Sequence, residues 1–462
     1  MRQLGIMDPK DVFQPPDGTT RCSFTNGATL AVIDNYKAYC SRLAAVFANA
    51  TASDSTDKQI ILVGLEFRLK QRLDQTDTLV EQTSPDWGKT LGGMLEAAVK
   101  AKVKVRLLYG GDDIPDLPLA TSLGIDARQD KQCTSRPHHQ KAVFVAPGDG
   151  KDKAAILFVG GMDIAHVPGG WERTFWFDAM AEISGLAGAT MGVDTLEERW
   201  ASVVGLPWSG TGTPKGEVPK YKAGDTLITY VRTYALDPKD AATAQRKYAM
   251  DYSYRDTILR AIPKAQKSIY IEDQFFDHVP AVDALLIDAA NRDPGPTIVV
   301  IGGRLNETGY GSRSVGLLRT KVKNQNRLHM LRLKVQGGRK PNLIHTKAWV
   351  FDDELAIIGS ANYWWGSLYP DNTTQDSEFG VVFMAPAVAT LRVQLWNRMI
   401  ASATKPIPIP TPRPKGSTIL ADLAILIDRP VDDLKPKIAS FLLPGARSTF
   451  EAMPPNETKD GP

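Results

Sequence analysis

The chain reads as an α/β protein of two similar lobes, each a mixed, mostly parallel β-sheet flanked by helices. Three observations predict this. Apolar runs of strand length alternate with segments of helical periodicity, the pattern of βαβ units. The same order of elements occurs twice. Finally, Pro137-His138-His139-Gln140-Lys141 and Leu343-Ile344-His345-Thr346-Lys347 are both His-x-Lys elements ahead of a hydrophobic run ending in Gly-Gly or Gly-Ser. A motif repeated in matching surroundings marks an internal duplication, and so one composite site rather than two.

In the first half, Ala31 to Ala50 has helical periodicity, and Ile60 to Phe67 is a strand. A helix over Leu91 to Ala101 and a strand over Val103 to Tyr109 follow, and a helix near Leu196 to Val204 closes the lobe. The second half repeats the order: helix Tyr254 to Ala265, strand Ser268 to Phe275, helix Ala281 to Arg292 and strand Thr297 to Ile301, then His345 onward. Between them, Pro207 to Gly216 has the Pro, Gly, Ser and Thr content of a linker. Expected boundaries are therefore a first lobe over 1–205, a linker over 206–225, a second lobe over 226–400 and a Pro-rich strap over 401–462. The strap opens with Pro406-Ile407-Pro408-Ile409-Pro410, a polyproline-like stretch, and carries apolar patches at Ile419 to Ile427 and Ile438 to Leu443.

At 462 residues the chain can hold two or three ordinary domains. A hydrophobic content of 43% with 23% charge is that of a globular protein. Lysine and arginine total 55 against 52 acids, a net +3, which argues against a dedicated nucleic-acid binder. Cys22, Cys40 and Cys133 are too few for a disulfide scaffold and read as inert thiols, with a Cys22–Cys40 pair open in an oxidising compartment. Met1 to Lys10 has no apolar core of signal-peptide length, and no apolar run reaches spanning length. The expectation is a soluble protein of unread compartment, cytoplasmic or exported without a visible signal.

The second His-x-Lys copy extends to H-x-K-x4-D-x6-G-S-x-N: His345, Lys347, Asp352, Gly359, Ser360 and Asn362. Trp349 and Phe351 alternate with Lys347, and Ile357-Ile358 follows Asp352-Asp353-Glu354, so two strands joined by a tight acidic turn are expected. Residues i and i+2 of a strand share a face, which puts His345 and Lys347 together, a titratable imidazole beside a fixed cation. The first copy opens alike with His139 and Lys141 and ends in Gly160-Gly161-Met162-Asp163, but Ala146 stands where the Asp is expected. Gly148 to Lys153 reads as a longer polar turn there, with Asp149 and Asp152 as candidate replacements. Asp178 follows Gly160 by 18 residues and Glu378 follows Gly359 by 19, which supports the duplication. His138, out of phase with His139, reads as a packed or hydrogen-bonded histidine.

These residues carry a resemblance to the phospholipase D superfamily. The second copy is similar to its HKD signature, Asp376-Ser377-Glu378 to the acidic segment after it, and Ile269-Tyr270-Ile271-Glu272-Asp273-Gln274 to the family's Tyr-Ile-Glu-Asn-Gln strand. The likeness runs from about Gln59 to Arg398, is most like a bacterial phospholipase D, and implies one active site at the lobe interface. It implies a phospholipase D that hydrolyses the distal phosphodiester of phosphatidylcholine-like glycerophospholipids to phosphatidate and free alcohol, with transphosphatidylation as a side capacity. By resemblance, His139 attacks phosphorus to form a phosphohistidine and His345 is the general acid. Lys141 and Lys347 hold the phosphate oxygens, and Asp178 and Glu378 orient the histidine of the opposite lobe. Asn362 and Asp163 are expected at the substrate, with Trp364, Trp365 and Trp171 as aromatic contacts for acyl chains or a quaternary head group. Asp352, Gly359, Ser360, Gly160 and Gly161 are structural motif residues. No metal or other cofactor is expected. The expected partners are a phospholipid at a membrane surface or micelle and a water or alcohol acceptor, with no nucleic acid and a monomeric chain. Two other readings stay open: an HKD-type nuclease, and a degenerate, non-catalytic lipid binder.

Overall fold

A computed structural model of the chain describes residues 25–26, 28–75, 78–110, 116–130, 138–146, 155–165, 177–205, 225–235, 250–302, 312–333, 344–368, 376–401 and 450–452. The linker motif, nearly all of the Pro-rich strap, Cys22, Cys133, Asp149, Asp152 and Trp171 lie outside them.

Two sheets carry the molecule. The seven-stranded sheet runs in the order β2-β8-β7-β6-β3-β4-β5, from β2 (Thr29–Ile33), β3 (Gln59–Gly64), β4 (Lys104–Tyr109), β5 (Asp126–Gln129), β6 (Ala142–Ala146), β7 (Ile156–Gly160) and β8 (Met180–Ser184). The ten-stranded sheet follows the order β1-β9-β16-β15-β14-β11-β12-β13-β17, with β10 paired to β9. Its strands are β1 (Thr25–Asn26), β9 (Leu227–Ala235), β10 (Met250–Asp251), β11 (Ser268–Asp273), β12 (Thr297–Gly302), β13 (Leu328–Leu333), β14 (Ala348–Phe351), β15 (Leu355–Gly359), β16 (Glu378–Met384) and β17 (Phe450–Ala452). The central order β8-β7-β6-β3-β4-β5 recurs as β16-β15-β14-β11-β12-β13, which is the duplication in three dimensions.

Both sheets are mixed, but antiparallel pairs outnumber parallel ones, a correction to the mostly parallel expectation. Among the described strands, parallel pairing is confined to β3-β4-β5 and β11-β12-β13. Helices cross over there: α2 (Leu91–Lys100) and α3 (Leu117–Ser122) in one lobe, α7 (Pro280–Asn291) and α8 (Ser312–Lys321) in the other. Each His-x-Lys segment instead feeds a hairpin, β6-β7 or β14-β15, and a hairpin is antiparallel by construction.

The region read as one helix from Ala31 is a strand, β2, followed by α1 (Tyr36–Ala52). Asn35 separates them: its side chain accepts the N–H of Ala38 at 2.8 Å, an N-cap that forces the break. At the end of the first lobe, α4 (Leu186–Gly192), a π turn over Val193–Glu197 and α5 (Glu198–Val204) follow in succession. The second lobe adds α6 (Ser253–Lys264), α9 (Trp365–Leu368) and α10 (Val388–Ala401).

The inner faces of the two sheets share one core. Phe144, Leu157, Ala181 and Ile183 from the first lobe pack in the same cluster as Tyr230, Val350, Ile358, Phe379 and Val381 from the second. Helices cover the outer faces over two further cores, with Tyr39, Leu43, Phe47 and Leu95 on one side and Ile258, Ile262, Leu286 and Leu318 on the other. Burial on both faces explains why β11 and β12 are buried at every position rather than at alternate ones. Among the described residues no helix is long and apolar enough to cross a membrane.

Candidate active site

Strand pairing begins at Ala142 and Ala348, so His139-Gln140-Lys141 and His345-Thr346-Lys347 are the approaches to β6 and β14 rather than strand residues. Matching bonds fasten them. The Gly160 N–H donates to the Lys141 carbonyl and the Gly359 N–H to the Lys347 carbonyl, both at 3.2 Å. Each lysine also turns back on its own motif, Lys141 Nζ to the His139 carbonyl at 2.9 Å and Lys347 Nζ to the His345 carbonyl.

The two motifs meet through backbone as well as side chains. The His139 N–H donates to the Ser377 carbonyl at 2.9 Å, and the His345 N–H to the Phe177 carbonyl at 2.8 Å. Ser377 precedes Glu378 and Phe177 precedes Asp178, so each bond lays an acid of one lobe beside the histidine of the other. His345 Nδ1 lies 2.6 Å from Asp178 Oδ2. His139 Nδ1 lies 3.1 Å from both Glu378 oxygens. A carboxylate on Nδ1 fixes tautomer and ring orientation and leaves Nε2 as the reacting nitrogen.

The two acids are not held alike. Glu378 is fully buried and receives the hydroxyls of Ser360 and, at 2.6 Å, Ser367. Burial pushes its carboxyl up, but the His139 charge and the hydrogen bonds from His139, Ser360 and Ser367 outweigh that and hold it below the usual range. Asp178, one methylene shorter, receives the N–H of Ala179 at 2.8 Å. Gly161 stands where the second lobe has Ser360, and a Cβ there would sit 2.1 Å from Asp178 Oδ1. The Gly-Gly and Gly-Ser variants of the motif thus belong to Asp and Glu respectively.

A second exchange surrounds the lysines. Asp163 Oδ1 accepts the N–H of Leu65 at 2.9 Å and of Glu66 at 3.3 Å, and Asp163 Oδ2 lies 3.4 Å from Lys141 Nζ. In the other lobe the corresponding carboxylate is Asp273, at the end of β11. It accepts the N–H groups of Phe275 at 2.8 Å, Phe276 at 3.0 Å and Tyr363 at 2.7 Å. The motif position matching Asp163 is Asn362, and the strand position matching Asp273 is Gly64, where a Cβ would lie 2.9 Å from Asp163 Oδ1. One carboxylate per lobe does this task, entering from the motif loop in one and the strand in the other. Lys347 has a neutral neighbour instead, Gln274 Oε1 at 3.3 Å. Gln274, Asp273 and Ser367 escaped sequence reasoning, although the first two lie in the Tyr-Ile-Glu-Asp-Gln strand that was itself legible.

Lys141 and Lys347 are each 1% exposed, two ammonium groups buried in one site. Burial lowers Lys347 to about 8, with Lys141 adding to the fall and Asp178 opposing it. His345 is pushed down to about 4, first by burial and then by the Lys347 ammonium, against the pull of Asp178. Buried cations without full compensation are what a site needs if its ligand brings the negative charge.

The remaining expected residues have distinct places. Asp352 and Asp353 both take positive φ, 56° and 58°, forming the tight acidic turn. The Asp352 carboxylate then accepts the N–H groups of Gln266 at 2.8 Å, Lys267 at 2.7 Å and Ser268 at 2.8 Å, so it clasps the start of β11. Ala146 pairs with Gln59 at the matching point and is buried, so the first lobe does without the clasp. Asn362 is buried, 2% exposed. Trp364 is partly buried, its indole N–H donating to Ser367 Oγ at 2.7 Å, whereas Trp365 is 40% exposed. His138 is buried with Nδ1 2.8 Å from Asp130, which also takes Arg199, the packed histidine expected.

The site sets two crossed His–carboxylate pairs around two buried lysines at the lobe interface. Residues 258–400 match the family model described as cardiolipin synthase, PLD-like domain. The match lies in the second lobe and spans 143 of the 462 residues. Among solved structures, phosphatidylserine synthase from Haemophilus influenzae Rd KW20 has the same fold, at a TM-score of 0.50 and 10% identity over 81% of this chain and 87% of that one. Polyphosphate kinase from Porphyromonas gingivalis matches at a TM-score of 0.47 and 13% identity, covering 81% of this chain and 47% of its own. Nuc from Salmonella typhimurium, a phospholipase D family member, matches at 0.26 and 17% identity, covering 37% and 95%. No curated protein matches the chain.

Proposed function

We propose that the protein is a phospholipase D acting on phosphatidylcholine-like glycerophospholipids, releasing phosphatidate and the head-group alcohol through a phosphohistidine. The observation that carries the reading is the crossed pairing, because it supplies two imidazoles oriented by carboxylates beside two ammonium groups. Displacement at a phosphodiester needs a neutral nitrogen to attack and a proton for the departing alkoxide.

The roles follow from how each histidine is held. His345, held down to about 4, is neutral at pH 7, which is the state an attacking nitrogen requires. His139, with Nδ1 3.1 Å from both oxygens of Glu378, is assigned as the proton donor. This reverses the order implied by family resemblance. His345 Nε2 bonds to phosphorus, the P–O bond to the head group breaks, and the proton on His139 Nε2 goes to the leaving oxygen. Water then gives a proton back to His139 while its oxygen displaces His345; an alcohol in place of water yields the transphosphatidylation product. Lys141 and Lys347 bind the non-bridging oxygens, and their charge offsets the negative charge that builds there. Asn362 is a further contact for the phosphate.

Lipid as the substrate is supported by exposed Trp365 next to the motif loop and by the aromatic pair Phe275 and Trp364, with ring centroids 6.2 Å apart. A net charge of +3 gives little of the basic surface that nucleic-acid binding uses. The test is choline release from phosphatidylcholine vesicles run beside cleavage of a single-stranded oligonucleotide. Choline release without oligonucleotide cleavage is expected; the opposite result would make the protein a nuclease, and neither reaction a non-catalytic binder.

A further inference from the structure

Glu378 sits at the end of a directed chain of hydrogen bonds. The Trp364 indole N–H, which can only donate, points at Ser367 Oγ at 2.7 Å and also lies 3.1 Å from Asp376 Oδ2. Because Ser367 Oγ accepts from the indole, its own proton is free for an acceptor. Glu378 Oε1 is 2.6 Å away and Asp376 Oδ2 is 3.5 Å away, so the proton goes to Glu378. That same Oε1 lies 3.1 Å from His139 Nδ1. Order therefore runs from indole to hydroxyl to carboxylate to imidazole, with Ser367 and Glu378 fully buried.

Asp178 receives backbone support from Ala179 instead. The matching stretch after Gly161 lies outside the described residues from 166 onward.

We propose that Trp364 and Ser367 are positioning residues that act through Glu378 to keep His139 set for protonating the leaving oxygen. Trp364, expected at the substrate, thereby also supports the acid. The inference rests on the reading of His139 as proton donor. In the first step the His139 Nε2 proton passes to the departing alkoxide while Nδ1–H stays on Glu378. Without the Ser367 hydroxyl, a buried carboxylate oxygen loses a donor and the carboxylate can rotate off the ring. The step that suffers is proton delivery, not attack by His345.

Leaving-group dependence separates the two. An alkyl diester needs the proton, whereas a nitrophenyl diester departs as a stable anion without it. Turnover of both is measured for wild type, Ser367→Ala, Trp364→Phe and Ser367→Thr. For Ser367→Ala the ratio of alkyl to nitrophenyl turnover is expected to fall by about 10-fold to 10²-fold. Trp364→Phe should lower it less, and Ser367→Thr, which restores the hydroxyl, should return it towards wild type. Nitrophenyl turnover in the same sample reports that the variant is folded. Equal losses on both diesters, or an unchanged ratio, would overturn the relay alone. A wild-type protein that cleaves neither diester would overturn the functional reading, and the relay with it.

Discussion

Asp178, on the first lobe, holds Nδ1 of His345, on the second, at 2.6 Å. The reciprocal pair joins His139 to Glu378. Neither lobe therefore contains a complete site: each lends the other the acid that orients its histidine. Asp178→Asn should keep the shape but present the wrong hydrogen-bonding partner to Nδ1, lowering kcat by about 10²-fold to 10⁴-fold. Glu378→Gln should do the same. Steady-state turnover on one diester checks both, and loss in only one variant would show that the crossing is not functional on both sides.

The pH dependence follows from two buried groups. On a nitrophenyl diester, which needs no proton donor, kcat/KM should fall as pH drops through about 4, where His345 gains a proton and ceases to be a nucleophile. It should also fall as pH rises through about 8, where Lys347 loses its charge. Lys347→Arg, which stays charged, should move the upper limb upward if the variant turns over. A limb that stays in place in Lys347→Arg would assign it to another group.

Asp352 works on stability rather than chemistry. Its carboxylate satisfies three N–H groups at the start of β11. Asp352→Ala leaves them without their acceptor and should cost about 2 to 4 kcal/mol, read by denaturant unfolding. Turnover per folded molecule should remain close to wild type, as the first lobe already manages with Ala146.

Gly161 is required by its neighbour. A Cβ at this position would lie 2.1 Å from Asp178 Oδ1, so Gly161→Ala must push the carboxylate away from His345. Its kcat should fall as in Asp178→Asn, while Gly161→Ala combined with Asp178→Asn should lose little more than either alone. Additive losses in this cycle would show that Gly161 acts elsewhere.

Much of this was legible in the chain. His139, Lys141, His345 and Lys347 sit in local patterns, and local patterns survive in sequence. The similar spacing of Asp178 from Gly160 and of Glu378 from Gly359, 18 and 19 residues, showed the duplication. What could not be read is tertiary. Which acid faces which histidine depends on two sheets stacking inner face to inner face. The exchange of Asp163 and Gly64 for Asn362 and Asp273 keeps one carboxylate per lobe and only shifts where it enters. Sheet direction was misjudged because the hairpins after the lysines return without a helix. Ala31 to Ile33 was misread because the capping signal at Asn35 lies inside a continuous apolar pattern.

The roles of the two histidines meet their most direct test in trapping. The protein is incubated with a phosphodiester, quenched in alkali, digested, and the phosphorylated peptide sequenced by mass spectrometry. Label on His345, and none on His139, is the expected result. Label on His139 would contradict the assignment of attack to His345, and label on neither during active turnover would contradict a covalent phosphohistidine.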